Sequence, residues 1–306
     1  MHRIPLCLGL SILLFCPSLW AATPAVIDQN TVWSGTIQIS EKVTVKAGVT
    51  LTIQPGTRVE IASQKGIWSN GIILAQGEPA RPIVFTRAGG EGELWHQIMI
   101  ENTTSRFTHC IFEYSKNGVH VHASEVAISN ALFRNNENGA KLCGEGREGG
   151  QREEQGAAPR GQGWVTIAAS RFELNGFGLM PWHARGEVKD SVFTGNKVGL
   201  LVRDQEFKDL AIRHNNIFQN STYNLRMGDL NTGGGVDARE NWWGGADPLL
   251  TIYDERSEPG IGLVTFEPFA KEPFALATGL QLAVDGRRRT LTKDARRGTA
   301  WCYCSW

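Results

Sequence analysis

Ile111-Phe112-Glu113-Tyr114-Ser115-Lys116-Asn117-Gly118 returns as Leu132-Phe133-Arg134-Asn135-Asn136-Glu137-Asn138-Gly139. Three further copies follow: Phe172…Asn175…Gly178, Val192-Phe193…Asn196…Gly199 and Ile217-Phe218…Ser221…Asn224. The shared phrase is Phe, two residues, a small polar residue, two residues, then Gly or Asn. The Phe-to-Phe steps are 21, 39, 21 and 25 residues. A period of this length marks a stack of like units, none of which can bury its apolar face alone.

Within a unit the apolar runs are short. Val119-His120-Val121-His122, Val126-Ala127-Ile128 and Leu200-Leu201-Val202 are separated by Gly and Asn. Runs of three to five residues with turn residues between them predict strands, not helices. Two or three short strands per unit make one coil of a β-solenoid, with each strand roughly 4.8 Å from its copy in the next coil. Equivalent residues then pile up. The Phe residues are expected to form an internal aromatic stack, and the Asn and Ser residues a side-chain ladder at a bend. The Gly positions are expected where the backbone needs positive φ.

The long step obeys the same logic. Gly118 to Phe133 and Gly178 to Phe193 are both 15 residues, whereas Gly139 to Phe172 is 33, so 18 residues are extra. They fall within 144–163, a Gly-, Glu- and Arg-rich stretch with no large apolar residue. Such a stretch reads as a flexible surface loop that is dispensable for folding.

Residues 30–100 show short alternating runs without the Phe-Asn-Gly phrase, and no segment has convincing helical periodicity. Thr31-Val32-Trp33-Ser34-Gly35, with Val43 through Thr57, resembles the opening coils of bacterial secreted right-handed parallel β-helix proteins. Glu240-Asn241-Trp242-Trp243-Gly244, followed by Asp247-Pro248 and Val264 to Phe269, is similar to their closing coil. The repeat phrase resembles that of the pectate-lyase-like β-helix, shared with the periplasmic copper-binding β-helix family. The resemblance implies an all-β right-handed parallel β-helix of about ten coils, roughly 48 Å long at the strand spacing. It runs from about Thr31 to Phe269 and rests on framework residues, so it speaks for fold more than for function.

The ends read differently. Residues 1–21 have a basic start at Arg3, an apolar stretch from Leu6 to Phe15 and a small-residue site at Ala21-Ala22, the pattern of a cleavable secretory signal. Its apolar run is too short to span a membrane. The expected location is therefore periplasmic or secreted, with no integral membrane segment after signal removal. The β-helix is expected over 22–275 and an irregular basic tail over 276–306. Lys plus Arg and Asp plus Glu are 31 each, but 285–306 holds six basic and two acidic residues. That tail carries net +4, and residues 1–284 carry −4. The mildly acidic body offers no nucleic-acid footprint. Cys110 and Cys143 fall at different phases of the coil and are expected not to pair.

Three chemistries are open to such a fold. Cutting an acidic polysaccharide needs a carboxylate pair, or a base with a cationic neutraliser. Asp190 and Asp237, with Lys189 and Arg213, are the candidates, and they make no dense signature. Metal binding would centre on His120-Val121-His122, whose imidazoles share one strand face. The alternation sends Val119 and Val121 into the core, so the His pair is expected as a solvated face. Its third ligand would come from His96 or His109, and that geometry is expected not to be met. No resident cofactor is expected, with Ca, Cu or Zn as the ions to consider. Carbohydrate binding asks less: aromatic side chains to stack on sugar rings, and polar groups beside them. Trp68, Trp182 and Tyr223, expected at turns, are the candidates. The reading that follows is a β-helix scaffold binding an envelope or extracellular polysaccharide without robust catalysis. A polysaccharide lyase or glycoside hydrolase is the alternative, and a copper- or zinc-binding accessory protein the third.

Overall fold

Period-two alternation and frequent bends wrap the chain into coils of three short strands. We describe a computed structural model covering residues 23–89, 92–144, 163–203, 205, 209–228 and 234–276. The expected signal, the interior of the 144–163 insertion and the basic tail lie outside the described residues. Successive strands visit three parallel sheets in turn. The first runs from Val26–Ile27 to Ile252–Tyr253, the second from Thr31–Trp33 to Leu263–Thr265, and the third from Thr36–Ile39 to Asn216–Phe218. They contain ten, ten and eight strands. Helix among the described residues is confined to one 3-10 turn, Pro248–Leu250. The protein is a parallel β-helix of the kind its repeats imply.

Strand pairing stacks like on like. In the first sheet Ile67, Ile98, Val119, Ala140, Leu179, Leu200 and Leu225 follow one another across paired strands and all face inward. In the third sheet Phe85, Phe112, Phe133, Phe172 and Phe193 do the same. Their ring centroids are 5.0, 4.6, 4.6 and 4.6 Å apart, with planes tilted by 11° or less.

This stack differs from the expected one at both ends. Phe85 joins it, although its coil lacks the repeat phrase. Phe218 does not. Ile217 pairs with Phe193 and is fully buried, while Phe218 pairs with Thr194 on the outer side, 5.1 Å from the Trp242 ring. The reason lies three positions further on. From Asn136 onward the polar residue at that place accepts bonds from the coil before it. Asn175 Oδ1 accepts from the backbone N and the Nδ2 of Asn136, both at 3.0 Å, and its Nδ2 donates to the Phe133 carbonyl at 3.0 Å. Asn196 repeats this. Setting Ile217 inside delivers Asn220 to the next place, where its Oδ1 accepts from Asn196 N and Nδ2 at 3.1 and 2.9 Å. Ser221, the residue expected there, instead donates its backbone N to the Asn196 carbonyl at 2.8 Å.

The glycines also have a different cause. Gly118, Gly139, Gly178 and Gly199 are not in the positive-φ region; the bend is carried by Tyr114, Asn135, Leu174, Gly195 and Gln219, two residues after each stack position. Glycine is required because the backbones approach closely. A Cβ on Gly139 would lie 2.4 Å from the Gly178 carbonyl oxygen and 3.0 Å from the Phe172 ring.

A second ladder links the corner between the second and third sheets. Ser170 N donates to Ser191 Oγ at 3.1 Å, Ser191 N to Asn215 Oδ1 at 2.9 Å, and Asn215 N to Asn241 Oδ1 at 2.9 Å. Asn241 thus belongs to the framework, as does Trp243, which is buried. The chain then returns to the third sheet, where Phe274 and Asn216 exchange hydrogen bonds of 3.0 and 2.9 Å.

Candidate functional site on the first sheet

Because Val119 and Val121 fill the core, His120 and His122 point away from the helix axis. Parallel register extends this outer row in both directions. Trp68, Met99, His120, Lys141 and Met180 occupy successive strands, and beside them run Glu101, His122, Cys143 and Trp182. Arg203 bridges to Trp182 in the next strand, and Arg226 pairs with Tyr253 near the end of the sheet.

The three aromatic candidates are strand residues, not turn residues as expected. Trp68 lies in Ile67–Ser69, Trp182 closes Phe177–Trp182 and Tyr223 opens Tyr223–Met227, all in the first sheet. Their strands are too short, or too close to a bend, for alternation to reveal them. Each aromatic group has company. Lys42 Nζ sits 4.6 Å over Trp68, which also packs 5.4 Å from His96. Lys141 and Arg203 approach Trp182 at 5.6 and 4.8 Å. Arg226 lies 5.2 Å from Tyr253, itself 5.1 Å from Tyr223. Trp68 and Trp182 are four strands apart, about 19 Å, and Tyr253 is three strands beyond Trp182, about 14 Å.

The histidine pair is not a solvated face. His120 is only 5 % exposed and His122 is half-buried. Gln97 and Cys143, on the strands either side, cover His120: its Nδ1 is 3.1 Å from Gln97 Oε1 and its Nε2 is 3.3 Å from Cys143 Sγ. The ligating atoms of His120, His122 and Cys143 all lie within 4.8 Å of one another. Neither His96 nor His109 belongs to this group. His96 packs on Trp68, and burial, helped by the Lys116 charge, pulls its pKa down. His109 sits at the bend between the second and third sheets, with φ 49°. The signal for Cys143 was present in the repeat, since it follows His122 by 21 residues, one coil, at the same phase. Cys110 and Cys143 are both thiols; burial pushes the Cys110 thiol far up, and its Sγ lies 3.4 Å from the Ala75 carbonyl.

The carboxylate candidates lie elsewhere. Lys189, Arg213 and Asp237 are on the outer face of the second sheet, and Asp190 is at the bend beside it. The structure does not bring the two Asp residues together. Asp190 Oδ1 pairs with His214 Nδ1 at 2.5 Å. Asp237 is held by Arg213 and by Arg239, the latter at 2.8 Å. The Arg239 and Arg213 guanidiniums hold the Asp237 carboxyl well below the usual carboxylate range. Lys189 pairs with Glu187 at 2.7 Å. A carboxylate so strongly ionised is a poor general acid.

No family model matches the chain, and no curated protein matches it. Among solved structures it is similar to the A-module of mannuronan C-5 epimerase AlgE4 from Azotobacter vinelandii, at 12% identity and TM-score 0.35, over 80% of this chain and 90% of that one. The corresponding AlgE6 A-module gives 11% identity and TM-score 0.35, over 78% and 89%. The fold stands on strand order and register, independently of these likenesses.

Proposed function

We propose that the outer face of the first sheet binds a linear acidic polysaccharide, at the cell envelope or outside the cell, and that the chain acts as a scaffold without robust catalysis. The observation that carries this reading is the alignment of Trp68, Trp182, Tyr223 and Tyr253 along one sheet, with Lys42, Lys141, Arg203 and Arg226 against their rings. Aromatic faces suit sugar rings and neighbouring cations suit uronate carboxylates. A long, straight face suits a polymer. The pairing of Asp190 and Asp237 with basic partners supports binding over cleavage.

The test is a glycan array with the exported chain, followed by unsaturated-uronate absorbance and reducing-sugar release on each glycan bound. The expected outcome is retention of acidic glycans with no product, and loss of retention in Trp182→Ala. Steady product release would establish the lyase or hydrolase alternative. Retention unchanged by Trp182→Ala would move binding away from this face.

A further inference from the structure

We propose that His120, His122 and Cys143 form a binding site for a thiolate-preferring transition-metal ion, zinc(II) or copper(I). This stands apart from the polysaccharide reading and rests on three geometric features.

The first is the spacing of donors. The three ligating atoms lie within 4.8 Å of one another, and the His120 Nε2 to Cys143 Sγ distance is 3.3 Å. Tetrahedral zinc bonds of about 2.0–2.1 Å to nitrogen and 2.3 Å to sulfur separate those two atoms by about 3.6 Å. For that pair a shift of a few tenths of an ångström admits the ion, and His122 closes in from within 4.8 Å.

The second is a built outer shell. Asn138 Nδ2 donates to Asn117 Oδ1 at 2.9 Å, and Asn117 Nδ2 donates to Gln97 Oε1 at 3.0 Å. This amide chain presents Gln97 Oε1, an acceptor, to His120 Nδ1 at 3.1 Å. Nδ1 must then carry the proton, and Nε2 turns its lone pair towards Cys143. A ring N–H anchored on a carbonyl is how metal-ligating histidines are oriented.

The third is the donor chemistry. Two imidazoles and a thiolate select zinc or copper, whereas calcium requires oxygen ligands, so of the ions considered from sequence calcium does not fit here. Three protein ligands leave the fourth tetrahedral position to water or an outside ligand.

The experiment titrates the exported chain with zinc(II) against a chromophoric chelator, with copper(I) under reducing conditions, and with cobalt(II) as a spectroscopic probe. The expected result is one ion per chain, a sulfur-to-cobalt charge-transfer band, and protection of Cys143 from alkylation by zinc. Cys143→Ser and His122→Ala should abolish the band, Gln97→Ala should weaken binding about 10–100-fold, and Cys302→Ser/Cys304→Ser, which removes the two cysteines of the basic tail, should leave the band intact. His122 is half-buried, so its variant keeps the test valid where Cys143→Ser misfolds. Absence of the band, or its survival in both Cys143→Ser and His122→Ala, overturns the proposal. If only the Cys302→Ser/Cys304→Ser variant loses it, the ion belongs to the tail, and the proposal fails.

Discussion

The outer faces of the first and second sheets are written by the same alternation on the same coils, yet they carry different chemistry. On the second sheet basic side chains meet carboxylates: Lys189 meets Glu187, and Arg213 and Arg239 meet Asp237. The third sheet behaves likewise, with Arg134 on Glu113 and Arg171 on Glu173. On the first sheet Lys42, Arg203 and Arg226 lie over Trp68, Trp182 and Tyr253. A charge closed into a carboxylate pair has little left for a ligand. A cation set against an aromatic ring places charge beside a surface on which a sugar can stack. The interior holds all three faces in place and does not distinguish them; the side chains of the outer faces do.

Variants can break this contrast or sharpen it. The greatest loss should come from the shared interior. Phe172→Ala removes a ring stacked at 4.6 Å on both neighbours and should cost roughly 3–5 kcal/mol in urea unfolding. It should disable both faces together; a cost under about 1 kcal/mol would mean the stack does not support them. Next comes the ladder. Asn175→Ala strips the backbone N of buried Asn136 of its acceptor and should destabilise by about 1–3 kcal/mol, read from the shift in urea midpoint.

Smaller still are changes on the faces, and here the two should part. Tyr223→Ala should weaken glycan retention by the 0.5–1.5 kcal/mol typical of an aromatic contact, about 2–10-fold, while leaving the unfolding midpoint nearly unchanged. Lys189→Ala should alter neither; equal losses of retention from both variants would erase the contrast. Asp237→Asn should have the least effect, under about 1 kcal/mol for a pair near the surface. Its sign is testable. A depressed carboxyl pKa contributes stability above the unfolded-state value, near pH 4, and that contribution fades as pH falls below it. Wild type and Asp237→Asn should therefore differ at pH 6 and converge in strong acid. A gap that widens on acidification would contradict the assignment of Asp237 as a locked anion.

Legibility followed the repeat. The coil, the Phe stack from Phe112 to Phe193 and the Asn ladder were readable because one-dimensional periodicity places equivalent residues in register. Where a coil deviates, the reading slipped. Ile217 and Phe218 are both apolar, so pattern alone did not say which goes inside; Asn220 decided it by accepting from the Asn196 backbone N and donating to the Phe193 carbonyl of the coil before. The glycines were readable as necessary, but the cause, a carbonyl 2.4–2.5 Å from the missing Cβ, exists only once coils are stacked.

For the candidate site, the sequence by itself determined that His120 and His122 share a face and that Val119 and Val121 take the core, because strand alternation and the preference of apolar side chains for the interior require it. It also contained the 21-residue offset from His122 to Cys143. Only the tertiary structure decided that Gln97 and Cys143 close over His120, and that Trp68, Trp182 and Tyr223 stand on one sheet. The physical reason is that neighbours across a parallel sheet are set by how many residues each bend and insertion consumes. That count is fixed by backbone hydrogen bonding between coils, which no single coil's sequence contains.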